Sequence, residues 1–190
     1  MKYQKETAMQ DMNKMNLEQL RDHIAENQKK GLPFMCASLV IWSLILTVTL
    51  LELPQDKENL FVFCCSCPLM PLAWVVGKLL KVDIFDKSNP LGNAGLTFTC
   101  TQLLYLLIVM WVFSAVPGKM VMVYAMVFGA HLLPFSWLYQ SLSYRVFAIV
   151  IPVAALAVGC VFSATAVAAV ILGLEGLLVI CLFAEIKKVR

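Results

Sequence analysis

Two ionisable side chains stand out deep in apolar runs, with the chemistry to move a proton or hold a cation: Glu175, in VILGLEGLLVI, and His131, in FGAHLLPFSWLY. Both lie among apolar residues, and an ionised group at the centre of a bilayer costs at least about 2.5 kcal/mol. Such a group is kept there when it is protonated, hydrogen-bonded or facing water. A third candidate is the thiol cluster of FVFCCSCPLMPLAW, where Cys64 and Cys67 stand three apart and share one helical face. That spacing suits a soft ion such as Cu(I) or zinc. Structural sites of this kind add a second pair of thiolates, whereas Cys36, Cys100, Cys160 and Cys181 stand singly along the chain. The cluster is therefore expected to be reduced and metal-free, with cysteine serving as a small apolar residue. Cys67 as nucleophile with His131 as base would make a hydrolase, yet nothing in the sequence brings the two together. Motifs of the GxSxG, HExxH, phosphate-loop and dinucleotide-turn types are missing. Neither an enzyme nor a cofactor is expected.

The solvent around these groups follows from composition. The 190 residues are 61% hydrophobic and 14% charged, with a mean hydropathy of +0.80, so the chain cannot cover its apolar surface in water. A bilayer core about 30 Å thick needs roughly 20 apolar residues per helix. Charge, proline and glycine clusters cut the chain into six such lengths: Leu32–Leu53, Asn59–Leu80, Ala94–Val116, Met120–Gln140, Val146–Ala164 and Thr165–Ile186. The last two meet at FSAT with no charge between them, as in a tight hairpin. The expected fold is all-α, a polytopic membrane bundle of six transmembrane helices over residues 32–190. A cytoplasmic lead-in, residues 1–31, precedes it. There NLEQLRDHIAENQKK reads as a short amphipathic helix, with Asn16 as cap, Gln19 three residues on, and Leu17, Leu20 and Ile24 at helical spacing.

Lys and Arg near span ends stay in the cytoplasm. With the amino terminus inside, 13 of the 15 basic residues fall on the inner side and only Lys57 and Lys119 on the outer. Both termini are therefore expected in the cytoplasm, as an even number of spans requires. The net charge of +3 suits anionic headgroups and asks for no nucleic acid. The lead-in is too polar for a signal peptide, so the first span is expected to direct insertion, and Met9, Met12 and Met15 are alternative starts. The lead-in itself is expected to be a solvated segment at the inner surface that supplies retention charges, the alternative being a regulatory or partner-docking helix, with His23 as a surface residue. No cysteine falls in an outer loop, which argues against a disulfide framework.

Proline shapes two of the spans. Pro68 cannot donate to the carbonyl of Cys64, Pro71 to that of Cys67, or Pro134 to that of Ala130, so the second and fourth spans should be kinked where small residues let a neighbour approach. Pro71 and Pro134 are 63 residues apart, each followed three residues later by a tryptophan, Trp74 and Trp137. This hints at a repeat of helical hairpins. Glu175 is eleventh of 22 residues in its span and His131 twelfth of 21, both at the midplane. In the sixth span Ala166, Ala169, Gly173 and Gly176 form a stripe of small residues expected to pack on Ala155, Gly159 and Ser163 of the fifth. Glu175 then faces the bundle interior, where Thr101, Gln102 and Tyr105 of the third span, or His131, can meet it.

The stretches FCCSCPLMPLAW, KVDIF with NPLG, and MVYAMVFGAHLLPFSWLY resemble a group of small, uncharacterised bacterial inner-membrane proteins defined only as a domain of unknown function, from about Leu17 onward. The resemblance implies a bacterial plasma-membrane location and supplies no activity. On the residues themselves the first expectation is a small-solute or ion permease, working as a homo-oligomer in the lipid bilayer, with Glu175 and His131 as a proton-sensitive midplane site and the two broken helices as moving parts. The alternative is a non-transporting membrane protein, an immunity, stress or assembly factor, whose buried polar residues only fix helix packing.

Overall fold

The computed structural model describes residues 15–86 and 89–188. Lys2, Lys5, Lys14, Lys87 and Arg190 of the charge count, with Met9 and Met12, lie outside the described residues. The first described element is α1, Leu17–Asn27, and its start is the expected capping box: the Gln19 amide donates to Asn16 Oδ1 and the Asn16 amide to Gln19 Oε1, each at 2.9 Å. Six helices long and apolar enough to cross a membrane follow, and no strand occurs among the described residues. The first span is α2, Leu32–Thr49; the second is α3, Gln55–Cys65, continued by α4, Leu69–Leu80. The third is α5, Gly92–Ala115, and the fourth is α6, Met120–His131, continued by α7, Leu133–Leu138. The fifth is α8, Leu142–Val161, and the sixth is α9, Ala164–Lys188.

Both expected breaks are present. In the second span the helix is interrupted from Ser66 to Pro68, and the backbone stays bonded by tightening: the Cys67 amide donates to Cys64 O at 3.1 Å and the Ser66 hydroxyl to Phe63 O at 2.6 Å. Pro71 then sits third in α4, and Pro134 second in α7. In a first helical turn a missing N–H costs no intrahelical bond. The prolines thus restart helices rather than bend continuous ones.

A compact set of helices carries the bundle. The first span packs on the sixth and second, the sixth on the fifth, and the fifth on the fourth. The third span packs along the fourth and leaves most of its surface exposed. The fourth and fifth spans approach closely at Gly129, where a side-chain carbon would lie 2.5 Å from Pro152 Cδ and 2.6 Å from Ile151 Cγ2. Pro152, which the sequence reading passed over, lies within a continuous helix.

Packing corrects one expectation. Ala169 and Gly173 are exposed, and nothing approaches within 4 Å of where a side chain on Gly173 or Gly176 would begin. The sixth span buries Val167, Ala168, Ile171, Leu178 and Leu182 instead. Of the small residues in the fifth span, Gly159 receives Met122 of the fourth, while Ser163 is exposed. Small residues permit close approach without choosing the partner, and larger side chains offer more surface for van der Waals contact.

Candidate functional site

The second and third spans stand on either side of a gap floored by the first and fourth. A cavity of about 320 Å³ fills it, with walls drawn from the first to fourth spans and the start of the fifth. Its back wall is aromatic. Trp42 meets Tyr124 at 5.6 Å and Phe128 at 5.8 Å between ring centroids, and Phe135 lies 6.0 Å from Tyr139 and 6.2 Å from Tyr144. The broken segments of both the second and fourth spans open onto this space, through Ser66 and Cys67 on one side and His131 and Leu132 on the other. No Asp, Glu, Lys or Arg is among the described lining residues.

His131 is 5% exposed, and its ring packs edge-on against Phe135 at 5.3 Å and Tyr105 at 6.3 Å. Its Nδ1 is buried without a hydrogen-bond partner among the described residues. Gln102 also faces the cavity, from the third span. Thr101 spends its hydroxyl on Phe98 O of its own helix, at 2.6 Å, and half-exposed Tyr105 meets the site only through the His131 ring.

Glu175 is fully buried, as its place opposite the small-residue stripe led us to expect. Its partner differs: Oε1 is hydrogen-bonded to the Ser38 hydroxyl of the first span, and Oε2 has no partner among the described residues. The expected hydrogen-bonded contact joining the third, fourth and sixth spans is not formed, because the sixth span lies against the first while the third lies outside the fourth. Ser38, whose oxygen is also 3.0 Å from Met35 O, lines the cavity and so stands between Glu175 and that space. The midplane candidates thus divide into His131 and Gln102 at the cavity, Tyr105 beside the His131 ring, and Glu175 behind Ser38. In the thiol cluster Cys64 and Cys67 are exposed, and no group of three His, Cys, Asp or Glu residues suited to a metal occurs among the described residues.

At one end of the bundle the described part of the lead-in, residues 15–31, is docked against the spans rather than solvated. Lys29, Lys30 and Gly31 all have left-handed backbone, with φ of 45°, 50° and 70°, a conformation that costs non-glycine residues about 1–2 kcal/mol each. Tertiary contacts hold it. Lys30 Nζ pairs with Glu185 Oε2 of the sixth span at 2.8 Å, and the same carboxylate accepts from the hydroxyls of Ser141 at 2.8 Å and Ser143 at 2.6 Å. Lys29 donates to Leu80 O at 2.6 Å, Tyr144 to Lys30 O at 2.8 Å, and Tyr139 to Gln28 Oε1 at 2.8 Å. Gly31 leaves room only for the Tyr139 and Tyr144 rings, which close this end of the cavity. His23 is half-buried against Asn27 and Asn89. The signal for this dock was present in the sequence, since Lys30 before the first span and Glu185 near the end of the sixth must lie at the same membrane face.

No curated protein and no solved structure matches the chain. A family profile does, over residues 17–185, from the first residue of α1 almost to the end of α9. The chain, a multi-pass all-α protein with a walled intramembrane cavity, belongs to a family of unknown function, DUF7010.

Proposed function

We propose that this membrane protein is a small permease that binds a compact, uncharged and largely apolar solute in the cavity between its second and third spans. The observation that carries the reading is the buried, unpartnered His131 Nδ1 in a cavity bounded by both broken helices. A volume of about 320 Å³ is at the small end of ligand pockets, which run to about 1,000 Å³. An ion would find no countercharge among the described lining residues, so a neutral solute suits the cavity better. Interrupted backbone lining a cavity is also where transporter helices change shape. His131 and Gln102 would hold the polar group of the solute, and Glu175 would act on the site only through Ser38.

The second reading, a protein that transports nothing, is favoured by one observation: Glu175 and Glu185 each fasten the sixth span to other parts of the chain. Equilibrium binding of radiolabelled neutral alcohols and amides to the protein in nanodiscs separates the two. Saturable binding that His131→Leu removes while the protein stays folded supports the proposal, and flux of the same solute in proteoliposomes is expected. Binding without flux points to a sensor or assembly factor. Binding indifferent to His131 overturns the assignment of the site. We place the protein in the bacterial plasma membrane with both termini in the cytoplasm, a reading supported by the skew of basic residues.

A further inference from the structure

We infer that the occupant of the cavity is a single-chain neutral amphiphile dissolved in the bilayer, and that it enters sideways between the second and third spans. The inference rests on the cavity being the binding site and adds to it the chemical class and the route.

Both ends of the cavity are fastened. At the terminus-bearing end the Gln28–Tyr139 and Lys30–Tyr144 hydrogen bonds, 2.8 Å each, tie the lead-in across the Gly31 corner. At the opposite end Asn59, fully buried, donates to Pro117 O at 2.9 Å and joins the second span to the turn before the fourth. Thr165 there donates to Thr49 O at 3.0 Å. The side between the second and third spans has no such fastening, and those spans do not pack along each other among the described residues. Of the lining residues of these two spans, Cys67 and Met70 of the second and Cys100 and Leu103 of the third are exposed. In a bilayer that exposure faces acyl chains, so the mouth opens into hydrocarbon.

The lining describes the molecule that fits. Its body is apolar, its volume is far below that of a two-chain lipid, and no described charge faces it. Inside, His131 and Gln102 have no hydrogen-bond partner among the described residues. A neutral imidazole has one donor and one acceptor nitrogen, and a primary amide offers both functions. A hydroxyl or amide head can satisfy either, whereas a carboxylate or ammonium head would be left without a counterion.

Trp42 lines the cavity and is 1% exposed, so it can serve as the reporter. The full chain carrying Trp74→Phe, Trp111→Phe and Trp137→Phe is placed in nanodiscs and its emission followed. A bilayer-dissolved, terminally brominated single-chain alcohol is expected to quench Trp42 saturably and to be displaced by the unbrominated alcohol. Brominated phosphatidylcholine and water-borne acrylamide are expected to quench it little. Cys67→Phe with Cys100→Phe, or Leu103→Phe alone, narrows the mouth and is expected to remove the saturable component, while Cys160→Phe, on the exposed face of the fifth span, leaves it unchanged. Equal quenching by brominated phosphatidylcholine overturns the single-chain assignment. Strong acrylamide quenching, with mouth variants that bind normally, overturns the lateral route and leaves the binding site standing. If no neutral probe quenches saturably from either side, the binding site falls as well.

Discussion

The hydrogen bond between Ser38 and Glu175 shows how one carboxyl is accommodated away from water. A serine hydroxyl has a single hydrogen, and here its oxygen lies against both Met35 O and Glu175 Oε1. One partner must therefore be met by another hydrogen, such as that of a protonated carboxyl. Glu175→Gln keeps size, a donor and an acceptor, and is expected to change stability by less than about 1 kcal/mol, the net worth of one hydrogen bond. Glu175→Ala empties a fully buried position and is expected to cost about 2–5 kcal/mol, the range for truncating a large buried side chain. Ser38→Ala removes the one partner of the Glu175 carboxyl, leaving Oε1 as well as Oε2 unmatched, and is expected to cost about 1–3 kcal/mol. Adding Glu175→Leu should recover part of that loss. Reversible unfolding in mixed micelles measures all four. A Glu175→Gln variant as unstable as Glu175→Ala would show that the carboxyl itself, and not its shape and hydrogen bonding, is required.

Helix contacts in this bundle turn on backbone approach. Gly129→Ala would place a carbon 2.5 Å from Pro152 and 2.6 Å from Ile151, closer than atoms can pack, and neither contact is the free end of a flexible side chain. The expected cost is about 1–3 kcal/mol from overpacking. Gly173→Ala, which meets nothing within 4 Å, is expected to be neutral or slightly stabilising through helix propensity. A difference between the two melting temperatures tests which face of each helix is packed. The docked lead-in makes its own prediction. Glu185→Gln weakens the pair with Lys30 and the bonds from Ser141 and Ser143, a loss of about 1.5–3 kcal/mol for charge-assisted hydrogen bonds. Release of α1 is then expected to raise tryptic cleavage at Lys29 and Lys30 roughly tenfold or more. Unchanged cleavage would mean that the left-handed corner holds without the ion pair.

For the molecule in its membrane, the Lys30–Glu185 pair places the beginning of the first span and the end of the sixth at one face, as an even number of crossings requires. A reporter active only in the cytoplasm, fused after Arg190, is expected to be active. The same reporter inserted at Gly118, whose surroundings are open, is expected to be silent, because the two positions belong to opposite faces. Activity at both positions would mean that the spans do not all cross.

Several features were legible from neighbouring residues alone. The six spans, the capped lead-in helix and the breaks near Pro68 and Pro134 depend on hydropathy, capping chemistry and a missing N–H, all of which act within a turn or two. The burial of Glu175 was also legible, since lipid penalises a carboxyl that faces it. The identity of its partner was not: several polar residues could have met it, and only the lie of the sixth span against the first selects Ser38. In lipid no hydrophobic force sorts one apolar helix face from another, so neighbours are chosen by shape and by a few polar contacts spread across the chain. That choice left the small-residue stripe of the sixth span unpacked and joined Lys30 to Glu185. It also held the second and third spans apart, so the cavity that gives His131 its setting exists only in the assembled bundle.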